Sequence, residues 1–105
     1  MKGRFITEKQ IAAFAVYLES EEKSENTVEK YIRDVRAFAA YVGDTEITKE
    51  TVIAYKNKLL TDNYAARSIN SMLASLNSLF SFLSWADCRV KSIKLQRQIY
   101  CPEEK

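Results

Sequence analysis

Two glycines and one proline in 105 residues leave this chain little with which to build tight turns. A sheet protein needs a turn roughly every 8–12 residues, and Gly, Pro, Asn and Asp do most of that work. The shortage therefore points to an all-α fold, in which long elements are joined by few connections. The length is that of one domain. With 47% apolar and 29% charged residues the chain can close a core without disulfides or metals.

Several chemistries are excluded early. There is no histidine, so histidine triads, histidine metal ligands and histidine acid/base catalysis are absent from this chain. Cys88 and Cys101 stand alone and make neither a disulfide framework nor a zinc site. The longest apolar run, Ile11 to Leu18, is eight residues, against about 20 for a membrane span. Polar and acidic residues follow the basic start too soon for a secretory leader, so a cytoplasmic protein that avoids membranes is expected. No nucleotide-binding loop and no CxxC pair is present, and no cofactor is expected. Glu19, Glu21 and Glu22 read as a solvated helix end. The tyrosines read as amphipathic packing residues, because nothing assembles around them to make a nucleophile.

Four segments carry a helical period. Thr7 with Gln10 makes a capping-box pattern, followed by Ile11, Phe14, Ala15 and Leu18 on one face. A second helix opens with Asn26 as cap and Glu29 three residues on. Its Val28, Tyr31, Ile32, Val35, Phe38, Ala39 and Val42 fall within about 120° of arc, and Gly43 stops it. Thr48, preceded by Ile47, caps a third, whose stripe of Val52, Tyr55 and Leu59 is widened by Ile53 and Leu60. The fourth is expected from about Ala66 to Trp85, with Ile69, Met72, Leu73, Leu76, Leu79, Phe80 and Leu83 on one arc. Phe82 and Trp85 fall on its wet side. Two readings fit them: cover by the first helix or the tail, or a contact between subunits.

Charge is distributed unevenly. Residues 1–87 sum to −1, whereas residues 88–105 sum to +3 through Arg89, Lys91, Lys94, Arg97 and Lys105 against Glu103 and Glu104. A helical body over 1–87 and a basic strap over 88–105 follow, the strap being either a solvated tail or a segment laid along a polyanion. Two polar strips remain on the helices: Asn26, Lys30 and Arg33 on the second, and Arg67, Asn70, Ser71 and Ser75 on the fourth. Small polar side chains let a helix approach a groove; Asn can bond adenine, Arg guanine, and Ser phosphate.

The run Ser24-Glu25-Asn26-Thr27-Val28-Glu29-Lys30-Tyr31-Ile32-Arg33-Asp34-Val35 resembles the second helix of the N-terminal core-binding domain of tyrosine recombinases, the phage integrases. Ser68-Ile69-Asn70-Ser71-Met72-Leu73, continuing to Leu79-Phe80-Ser81-Phe82-Leu83, is similar to that family's fourth helix. Ile93-Lys94-Leu95 and Cys101-Pro102 look like its linker. The resemblance implies a SAM-like bundle of four to five helices on one face of double-stranded DNA, with catalysis in a separate catalytic domain of the same protein beyond the strap. It carries Thr27, Lys30 and Arg33, with Ser68, Asn70 and Ser71, onto the DNA face. Lys91, Lys94 and Arg97 would then track phosphates. The family often has Arg where Ser71 and Asn77 stand, so weak binding by this chain alone is expected. The competing expectation is a small helical protein-interaction module that binds another helix, or a second copy of itself, through Phe82 and Trp85.

Overall fold

A computed structural model describes residues 4–93. Four α-helices and one 3-10 turn follow in order: α1 (Glu8–Ser20), α2 (Glu25–Val42), α3 (Lys49–Thr61), α4 (Ala66–Phe82) and the turn Ala86–Cys88. The all-α expectation is met, and no strand occurs among the described residues.

The helix starts are set by side chains. Thr7 and Gln10 close a reciprocal capping box on α1. Ser24, not Asn26, caps α2: its Oγ accepts from the Thr27 amide at 3.1 Å. Helix α3 begins at a second box, Thr48 with Thr51. Ile47 and Val52, at the staple positions on either side of that cap, are both buried.

The helix stops follow one rule with few glycines to serve it. Gly43 ends α2 at φ +54°, with open space where a Cβ would stand, so its backbone conformation rather than crowding calls for glycine there. The other three helices stop on non-glycine residues with positive φ: Glu22, Asn63 and Ser84. In each case the next amide reaches back five residues, Lys23 to Leu18, Tyr64 to Leu59 and Trp85 to Phe80. These bonds satisfy carbonyls that the helix leaves open. Ser84 thus ends α4 three residues short of the expected Trp85.

Helix α4 is the central rod. It packs against α2 and α3, and α1 lies against α2. Phe14, Phe38, Phe80, Leu73, Leu76 and Leu79 are fully buried where these faces meet. Phe38 sits edge-on to Tyr55 and to Phe80, at 5.0 and 6.0 Å between ring centres. Burial pushes the Tyr55 phenol above its ordinary range, and the nearby Asp34 charge adds to this. Ile53 and Leu60, expected to widen the α3 stripe, are 40% and 45% exposed and lie outside the core.

Phe82 and Trp85 are accounted for within the body. Phe82 packs on Phe14 and Tyr17 of α1, at 5.6 and 4.9 Å. Trp85 stacks near Phe80 at 6.2 Å, and the Arg4 guanidinium lies over its ring at 5.6 Å. Arg4 also donates to both carboxylate oxygens of Asp87 at 2.8 Å, and its carbonyl accepts from the Ile47 amide. That contact holds the Asp87 carboxyl below its usual range. Cys88 and Val90 are buried in the same core, so the chain past residue 87 begins as part of the body.

Candidate nucleic-acid interface

Where α2 crosses α4, their polar rims meet in an open notch of about 150 Å³ lined by Lys30, Arg33, Asp34, Ser68, Ser71 and Met72. The two strips read from the sequence are therefore brought together, although not every member faces outward.

The floor of the notch is a charged network. Asp34 is buried, and Lys30, one turn earlier on α2, ion-pairs with it. Lys30 Nζ also donates to the Ser71 carbonyl and to Ser75 Oγ, each at 3.2 Å. Ser75 Oγ in turn donates to Asp34 Oδ2 at 2.8 Å. Ser75 is fully buried. Of the expected DNA strip on α4, Ser75 is the member whose hydroxyl turns inward, to a carboxylate. Lys30 is only half-buried, but its ammonium is directed by three acceptors, so it is a fixed cation rather than a swinging one.

The rim is freer. Arg33 is 74% exposed, with only a 3.9 Å approach to Asp34. Arg67 and Ser68 are exposed, and Ser71 is half-buried. Asn26 is exposed in the first turn of α2. The Thr27 hydroxyl accepts from Ser24 Oγ at 2.9 Å and is thereby joined to the helix cap.

The amide of half-buried Asn70 is engaged with the chain leaving the bundle: Nδ2 donates to the Ile93 carbonyl at 2.8 Å and Oδ1 accepts from the Ile93 amide at 2.6 Å. Asn77 does the same for Val90, at 2.9 and 3.0 Å. Lys91, on the stretch between, is exposed, and Lys56 Nζ donates to its carbonyl at 2.8 Å. Lys94 and Arg97 lie outside the described residues.

Asp34, Asn77 and Lys56 were not recognised from sequence as structural partners. The Lys30–Asp34 spacing of four was an available signal for the first. Among the described residues no group of three or more metal-ligating side chains comes together, and no helix is long and apolar enough to cross a membrane.

An α-helical bundle with a mixed basic and small-polar notch between its second and fourth helices is the class of protein these features define. The family model for the phage integrase N-terminal SAM-like domain matches residues 11–87, and the chain belongs to that family. No curated protein and no solved structure matches it.

Proposed function

We propose that this chain is the DNA-binding, non-catalytic part of an integrase-like site-specific recombinase, and that it seats the protein on its half-site. The observation that carries the reading is the convergence of Arg33, Lys30, Ser68 and Ser71 from two helices onto one open notch. Exposed Arg33 and Arg67 at the rim supply phosphate contacts. Lys30, held in place by Asp34, contributes a cation without an ordering cost at binding. Lys91, Lys94 and Arg97 extend the positive track along the strap. Asp34 subtracts from the local positive charge, so the isolated chain binds weakly and gains affinity from its catalytic neighbour through effective concentration. Cutting and rejoining belong to that neighbour.

Arg33 and Arg67 make the clean test, because neither holds the fold as Lys30 does. At low salt, a mixed-sequence duplex should shift the amide signals of residues on the α2 and α4 rims. Changing both arginines to Gln should lower the slope of log affinity against log salt by about 0.9 per lost phosphate contact. An unshifted notch, or an unchanged slope, would overturn the reading. Self-association through Phe82 and Trp85 is not favoured, since both rings are engaged inside the body.

A further inference from the structure

We infer that Asn70, Asn77 and Lys56 form a track that captures the backbone of Val90–Ile93 and fixes where the chain leaves the bundle; its use in recombination rests on the DNA-binding reading above. Three carbonyls of this short segment are taken by side chains: Val90 by Asn77, Lys91 by Lys56, and Ile93 by Asn70. The Val90 and Ile93 amides are returned to the same two asparagines. Each asparagine therefore pairs with one residue through both N–H and C=O, as a neighbouring strand would.

The spacing on the two sides agrees. The asparagines stand seven positions apart on α4, a helical rise of about 10.5 Å. Val90 and Ile93 stand three positions apart, a span of about 9–10 Å for extended chain. The order is antiparallel, because Asn77 holds the earlier residue and Asn70 the later one. Val90 and Ile93 face inward against the core, while Lys91 and Ser92 stay exposed. The chain is thus led back along α4 toward its N-terminal half, which also carries Ser68 and Ser71 of the notch. The asparagines are positioning residues for the strap: they deliver it to the DNA-facing end of α4 and spare it the entropy of searching for that place.

Amide hydrogen exchange on the unmodified chain tests the track without DNA. No described residue accepts from the Lys91 or Ser92 amides, so slow exchange is expected at Val90 and Ile93, and fast exchange at the two residues between. Uniformly fast exchange over 90–93 would overturn the track. In Asn70→Ala/Asn77→Ala, protection at Val90 and Ile93 should fall by roughly tenfold or more, with the α2 and α4 amides unchanged. Undiminished protection would equally overturn it. For the positioning role, the double variant should bind a mixed-sequence duplex several-fold more weakly at low salt, at a temperature where it and the unmodified chain are both fully folded. Equal affinity once the segment is released would defeat that role. If the unmodified chain keeps the slow-fast-fast-slow pattern yet binds no duplex at low salt, the track stands, while both the DNA-binding reading and the positioning role fall.

Discussion

The two polar rims of α4 solve different problems with similar residues. On one rim, Ser71 and Ser75 meet a lysine and a buried carboxylate from α2. On the other, Asn70 and Asn77 meet only backbone. The first rim holds charge in a place where charge is costly, so its members depend on one another. The second holds neutral amides at the surface, where a lost bond can be replaced by water. Small polar residues on a helix therefore do not reveal by type whether they support the fold, steer the chain or face a ligand. What lies across from them decides it.

Removing a member from each rim should expose that difference. Asp34→Ala leaves Lys30 and Ser75 without their shared acceptor, and a loss of about 2–3 kcal/mol in urea unfolding is expected. Asn77→Ala gives up two neutral bonds but gains helix propensity, so about 0.5–1 kcal/mol should be lost. If the asparagine change costs as much as the aspartate change, the contrast between the rims fails.

A smaller effect concerns pH at the start of the captured segment. Burial raises the Cys88 thiol above its ordinary value of about 9. The neutral form is then favoured by folding, and that contribution is complete below about pH 9 and declines as pH rises toward the folded-state value. Stability should therefore fall over this alkaline window, and Cys88→Ala should flatten the decline. A profile identical in both proteins would remove the thiol from the account.

Much of the bundle was legible in the sequence because its faces are periodic. Phe38 and Leu76 lie at the middle or edge of clean apolar arcs, and both are fully buried. The rims were harder. On a helical wheel Asp34 stands about 40° from Phe38, and Ser75 about 40° from Leu79, at the border where crossing geometry decides burial. Phe82 lies seven residues after Ser75 on that same rim, which explains why α1 covers it. Asn70 and Asn77 also share a side, but their partner is an aperiodic segment, and periodicity cannot register such a partner. Of the notch lining, Lys30, Arg33 and Ser71 stand on the two strips read from the sequence and Ser68 on the family resemblance, whereas Ser75 and Asn70, from the same strips, turn to partners that a helical wheel does not show.

A grip on main-chain atoms is indifferent to what projects from the chain on its open side. Lys91 and Ser92 could be exchanged for acids, aromatics or more cations while Val90 and Ile93 kept the path intact. The electrical character of the segment and its course are thereby governed by different residues, so a change of charge at Lys91 or Ser92 need not disturb the route by which the chain leaves.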